Sequence, residues 1–514
     1  MARSAGGTAS RGGPEEARTA IERFLQSSRQ PVLQEPGEEP YALTQDRFHF
    51  ELRQGRLLIE AWDERRNVSR RVAGVEEERP GRLRLLVERF GKRTGTITLL
   101  DQARSSNQIH TRHAGRLVFR EQFRTCLAKS FPGWRIHELS SELDLHHSLS
   151  PNYPRALLVK GGAGIAAIGA SEGGPDADRA LGIGLIWLDH LRRRERHVTV
   201  GTLALFLPQG GQQTTCLRLH HLNPRAANYE VYLHDAGGFV ERIDPSDHGN
   251  LETRLEACRC PSTDTQVRLN PLIERVRALP EVETVERGEG SMSLRVNGLE
   301  FACVTGGRLL FGIDRKQPAA QHNLPEVEAL VAELSRVRSD QAADRCHPLF
   351  LRTPEAWLES RVRANIDKID ASLLSEPVYG QVPAVAGTER GVLDLLAVDW
   401  EGRLAVLELK ASQDLQLPMQ ALDYWMRVAC HAARGDFTRL GYFPGIALRA
   451  GSPRLLLVAP AIEFHSTTEA LLRFYSPEIE VERVGVGIKW QRRLQVACRL
   501  RGAERPVDVA PTTE

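Results

Sequence analysis

Two consecutive segments near the C-terminus constrain this chain most: GVLDLLAVD at 391–399 and RLAVLELKA at 403–411. Each is apolar at odd and even positions alike, the pattern of a strand buried on both faces in the middle of a sheet. Each interrupts that pattern with charge, Asp394 in the first and Glu408 and Lys410 in the second. A charge in such a strand is costly unless it is paired or bound to a metal. A structural ion-pair cluster is the plain alternative, but buried pairs seldom stabilise a fold over apolar replacements.

Spacing sharpens the pattern. Glu408 and Lys410 are two apart and share one face of their strand. Trp400-Glu401-Gly402 reads as a short hairpin loop. A hairpin centred on Glu401 sets Asp394 opposite Glu408; a slip of one residue would part them. Two carboxylates beside one ammonium suit magnesium, which prefers carboxylates and water. Such an ion can activate water against a phosphate ester. Lys410 can orient that water, help deprotonate it or stabilise developing charge.

Asp394 followed by Glu408-Leu409-Lys410 on the next strand resembles the PD-(D/E)XK nuclease superfamily. The following segment carries Gln420 and Tyr424, similar to the QxxxY motif of one branch, and four apart on one helix face. Upstream, PEAWLESRVRANI supplies Glu359, similar to the helical glutamate that borders such sites, whereas Glu355 reads as a first-turn acid suited to the helix dipole. The run from about 350 to 500 is most similar to the C-terminal nuclease domain of NucS/EndoMS-type endonucleases. Leu393 precedes Asp394 where the strict motif has proline, and the N-terminal two thirds show no quotable likeness. The resemblance implies Mg²⁺- or Mn²⁺-dependent cleavage of DNA. Asp394, Glu408 and the carbonyl of Leu409 would be metal ligands, and Lys410, Gln420, Tyr424 and Glu359 would complete the site. An RNA substrate stays open, as does an inert nucleic-acid-binding or scaffold protein that keeps only the fold.

The remaining chain reads as a multidomain α/β and α+β protein. With 514 residues it exceeds one ordinary core. Residues 1–16 read as a disordered tail and 17–110 as a β-rich module opened by a helix at 17–26. Residues 115–260 read as an α+β module, 266–340 as a small α+β module, and 348–502 as a restriction-endonuclease-like α/β sandwich around a mixed sheet. In the β-rich module, Arg65, Arg66, Arg70, Arg71, Arg89, Lys92 and Arg93 fall in connecting segments. They could form a nucleic-acid face, though interspersed glutamates favour a solvated one. Net charge is only +2, from 68 Lys and Arg against 66 Asp and Glu, which excludes a uniformly basic binder. No run reaches the roughly 18 apolar residues of a membrane helix. The N-terminus lacks the apolar segment of a secretory signal, so a cytoplasmic protein without membrane partners is expected. A homodimer is compatible with this reading.

Three weaker signals compete. Gly162–Gly169 mimics a dinucleotide-binding fingerprint, but the apolar run ends too soon to open a helix, so a strand–turn–strand is expected. The histidines at 110/113, 146/147 and 220/221 lack companions at metal-ligand spacing. Finally, the order helix, three strands, helix, strand over 117–207 echoes the C-terminal module. There the acid positions hold Arg155 and GIAAIGA (164–170), so a second nuclease-like core would be inert.

Overall fold

The computed structural model describes residues 13–28, 30–34, 41–44, 48–53, 56–62, 67–89, 93–171, 177–235, 237–249, 253–258, 270–288, 291–386 and 389–504. The disordered-tail expectation for 1–12 lies outside them, and the first helix begins earlier than expected, at Pro14–Ser27. Among the described residues the chain is a mixed α/β protein that divides into two units, 1–119 and 120–514.

The first unit is a seven-stranded antiparallel sheet. One helix covers it, burying Ala17, Ala20, Ile21 and Phe24 against Leu57, Ile59, Leu83, Leu85 and Leu99. Arg70 and Arg71 lie within the strand Asn67–Arg79, not in a connection. Arg65, Arg66 and Lys92 fall outside the described residues. The sheet ends at Asp101, and a helix runs from Gln102 to Ser130. The sheet therefore stops short of residue 110, and the stretch QARSSNQIHTRH carries no apolar period to announce a helix.

The second unit contains three sheets. The smallest is a five-stranded antiparallel meander from Val282–Gly288 to Gln317–Pro318, packed on the helices Pro271–Arg277 and Leu324–Val337. The other two share one topology. Arg135–Ser140, Arg155–Lys160, Ala163–Gly169, Thr199–Pro208, Asn228–His234 and Val240–Ile243 lie side by side in chain order. So do Tyr379–Ala386, Glu389–Val398, Leu404–Leu409, Arg454–Pro460, Val481–Val486 and Val496–Arg501. In both, successive pairs run antiparallel, antiparallel, parallel, parallel, antiparallel. In both, a helix follows the third strand (Ala180–Arg194 and Leu417–Ala433) and another follows the fourth (Gln213–Leu219 and Thr468–Leu472). The Gly162–Gly169 segment is accordingly a turn and a strand, not a helix start.

One other boundary shifts. Thr253–Leu255 leaves the 115–260 module and pairs with Tyr379–Ala386 at the edge of the C-terminal sheet. The strand Tyr379–Ala386 starts past Pro377, which has no N–H to give a ladder. The helix after the fourth C-terminal strand is short, Thr468–Leu472. The chain beyond it is drawn into backbone bonds with the other core: Asn223 N–H donates to Phe474 O (2.7 Å) and Ser476 N–H to His221 O (2.9 Å).

The hairpin at 399–403 sets the register of the C-terminal sheet. Asp399 Oδ1 accepts from the N–H groups of Glu401 and Arg403, and Gly402 sits at φ +82°. A Cβ there would lie 2.1 Å from the carbonyl oxygen of Ala447. Gly402→Ala should therefore destabilise the fold by about 2 kcal/mol or more, from left-handed strain and that backbone collision together. A denaturant midpoint unchanged from wild type would contradict this.

Candidate active site

Asp394 and Glu408 belong to the central strands as expected. Leu395 faces Leu407, and the same register carried one residue outward sets Asp394 opposite Glu408. Both strands are apolar because helices cover both faces. Trp357, Leu358 and Val362 pack on one side against Leu395, Leu407 and Leu409. Leu417, Ala421, Leu422 and Trp425 pack on the other against Leu396, Val406 and Leu455. The charges therefore stand in a desolvated layer, with Glu408 only 2% exposed.

Among the described residues their partners are few. Leu409 N–H donates to Asp394 Oδ2 at 2.9 Å. Lys410 Nζ lies 3.4 Å from Glu408 Oε1 and 3.9 Å from Asp414 Oδ2. Glu408 Oε2 is buried and receives no hydrogen bond from a described protein donor. Burial, and next the neighbouring Asp394, push the Glu408 carboxyl well above its ordinary range. Burial raises Asp394 too, against the Leu409 N–H and Lys410. Burial works to lower Lys410, but Glu408, Asp394, Glu355 and Asp414 outweigh it and hold the ammonium charged.

Raised carboxyls have a consequence for stability. The folded chain keeps protons here that the unfolded chain releases, so this patch is best tolerated at low pH. Its contribution to stability falls as pH rises through the raised folded values. Without metal, Glu408→Gln should raise stability at neutral pH by about 1 kcal/mol. The gain should shrink toward acid pH. A thermal scan at two pH values checks this; a loss of stability at neutral pH would contradict it.

The outer residues are placed unequally. Tyr424 is half-buried on Leu417–Ala433; burial, then the charges of Glu408 and Asp394, push its hydroxyl upward. Arg427 lies over its ring at 5.8 Å. Gln420, one turn earlier, holds a buried Oε1 without a partner among the described residues. Glu359 is not a solvated helix residue. It is buried, 3.9 Å from both Arg295 and Arg363, and its Oε1 has no hydrogen-bond partner among the described residues. Burial raises its carboxyl, and Asp394 adds to the rise. Two residues escaped the sequence reading. The exposed Glu355 acts electrostatically on both Asp394 and Lys410, and Asp414 is the second acid beside Lys410. For Glu355 the available signal was spacing, four before Glu359 on one helix; Asp414 lies between the strand and the next helix, where spacing carries no such signal.

Among the described residues no group of three or more His, Cys, Asp or Glu gathers around one point as a ready metal cage. The pair Asp394 and Glu408 nonetheless fits a divalent cation. Two carboxylates share a patch, one buried oxygen lacks a donor, and the neighbouring backbone is polar. His147 bonds Asp144 (2.7 Å) and packs 3.9 Å from His190, beside a cavity of about 410 Å³ that also takes in Arg193, Arg194 and Thr467. His221 packs edge-on against Trp425. The side chains of His110 and His113 lie outside the described residues. No described helix is long and apolar enough to cross a membrane.

No protein-family model matches the chain, and no curated protein matches it.

Proposed function

We propose that residues 348–502 are a restriction-endonuclease-like domain that hydrolyses phosphodiester bonds with a divalent metal, with DNA as the substrate. The observation that carries this reading is the convergence of Asp394, Glu408 and Lys410. An acid pair lies directly across two buried strands, with one ammonium and one unsatisfied carboxylate oxygen. Burying two acids against each other is a poor way to stabilise a sheet and a good way to attract a hard cation. A vestigial site would not need to hold them together.

Asp394 and Glu408 would hold Mg²⁺ or Mn²⁺, with the carbonyl of Leu409 as a third ligand. When bound, the ion supplies Lewis acidity and lowers the pKa of water. The chain's own residues do the rest. Lys410, held charged by its acids, orients the attacking water and stabilises the negative charge that builds on the phosphate. The water oxygen forms a bond to phosphorus, the ester P–O bond breaks, and the proton lost by water is balanced by one taken up at the leaving oxygen. Gln420 and Tyr424, on one helix face above the acids, steady the site or the strand entering it. Glu359, gripped between Arg295 and Arg363, tunes the field at Asp394 from behind. Upstream modules would select the nucleic acid.

The test is incubation of the full chain with labelled single-stranded, duplex and branched DNA, and with RNA, in Mg²⁺, Mn²⁺ or EDTA. Cutting of DNA in either metal and none in EDTA is the expected result. Cutting of RNA alone would move the substrate; no cutting of any of them would remove the function.

A further inference from the structure

The inert core and the acid-bearing core face each other through reciprocal contacts. Asp423, on the helix after the third strand of the C-terminal core, pairs with Arg218, on the helix after the fourth strand of the other (2.7 Å). In return Asp189, on the helix after the other core's third strand, pairs with Arg473, at the cap of the helix after the C-terminal core's fourth (3.4 Å). Leu222 bridges Tyr475, and the two flanking backbone bonds at 221–223 and 474–476 run in opposite directions. The helices bury one continuous apolar core: Leu181, Leu185 and Leu188 with Met419, Leu422, Leu471 and Phe474. This is the contact pattern of an isologous dimer, in which each half offers the other the same surface. Here both halves belong to one chain.

Backbone bonds align the two sites residue by residue. Lys410 N–H donates to Val458 O on the fourth strand, and Ala170 N–H donates to Phe206 O on the corresponding strand. Two residues earlier stand Glu408 and Ile168. One step beyond the pair Leu395 and Leu407, Asp394 falls across from Glu408; Ile168 pairs with Arg155. The counterpart of the Asp–Glu–Lys set is thus Arg155, Ile168 and Ala170. Arg155 is 4% exposed, its Nε and Nη1 have no hydrogen-bond partner among the described residues, and its guanidinium lies 5.6 Å above the Trp187 ring. A buried guanidinium at the position of a metal-binding carboxylate repels a cation, and none of these three counterparts is an acid that could hold one.

From this geometry we infer that the protein is a nicking enzyme: a paired nuclease with one working centre, which hydrolyses one strand of a duplex per encounter. This rests on the proposed function of the Asp394 site. The surface through which a second acid-bearing core would dock is already filled from within the chain, so a second cut has no centre to perform it. Each event breaks one ester P–O bond with one water, and needs no co-reactant beyond the metal.

The test is a time course on supercoiled plasmid with the full chain limiting and Mn²⁺ present, resolving supercoiled, nicked and linear forms. The expected result is that nicked circles accumulate to most of the DNA before linear product appears. Asp394→Asn should abolish both. Should the enzyme require single-stranded regions, a forked duplex labelled on both strands takes the plasmid's place, and one labelled strand is cut per molecule. Linear plasmid forming from the outset at the rate of nicked circle, or both labels cut together, overturns the inference while leaving the nuclease intact. No cutting of plasmid or fork overturns both.

Discussion

Asp394→Asn should reduce metal-dependent cleavage by about 10³-fold, and Lys410→Ala by about 10²-fold or more, with the fold kept in each case. The asparagine variant is the sharper choice because its side-chain oxygen can still accept from Leu409 N–H. Removing that acceptor altogether would leave a buried N–H unsatisfied and cost about 1–3 kcal/mol. Lys410→Ala removes the cation that lies against Glu408, so its loss should be felt most where charge develops on the phosphate. Single-turnover rates with unchanged circular dichroism check both variants. Rates within about threefold of wild type would place the chemistry elsewhere, since removing a group that stabilises transition-state charge ordinarily slows a reaction far more than that.

Arg218→Ala should destabilise the second unit by about 3–5 kcal/mol. The guanidinium is 5% exposed and grips Asp423 with two bonds, Nε to Oδ1 at 2.8 Å and Nη2 to Oδ2 at 2.7 Å, and its third nitrogen donates to the carbonyl of Asp178. Burial opposes the charge, and Asp423 more than restores it. Truncation leaves Asp423 half-buried without its fork, between two cores that must stay docked. The reciprocal pair, Arg473 with Asp189, is longer and its arginine side chain is 39% exposed, so Arg473→Ala should cost under about 1 kcal/mol. Urea midpoints of the two variants decide the matter: equal small shifts would mean that the cores do not depend on this contact.

The site was more legible than its setting. Glu408, Lys410 and Asp394 stood out because apolar periodicity makes a charge conspicuous, and the three-residue loop fixed the register that brings them together. Tyr424 was readable from its spacing to Gln420. Glu359 was named through the resemblance alone; its burial was not legible, because its environment is made by Arg295, distant in sequence on the small sheet, and no local pattern reports such a partner. Glu355 fitted the helix dipole well enough to hide its place in the field of Lys410. The second core was visible only as an order of elements. That it repeats every strand sense, and docks reciprocally on its neighbour, depends on pairings between segments far apart in sequence. The long helix Gln102–Ser130 escaped in its first half because its sequence has no apolar face to count.

Everything proposed for the site depends on Asp394 and Glu408 together holding a divalent cation. Titration of Mn²⁺ into the full chain, followed by electron paramagnetic resonance of the free ion, measures this without any assumption about substrate. The expected result is one bound ion in wild type, held more tightly as pH rises because protons leave the raised carboxyls, and little or none in Glu408→Gln. Equal binding by both proteins, or none by either across that pH range, would contradict it.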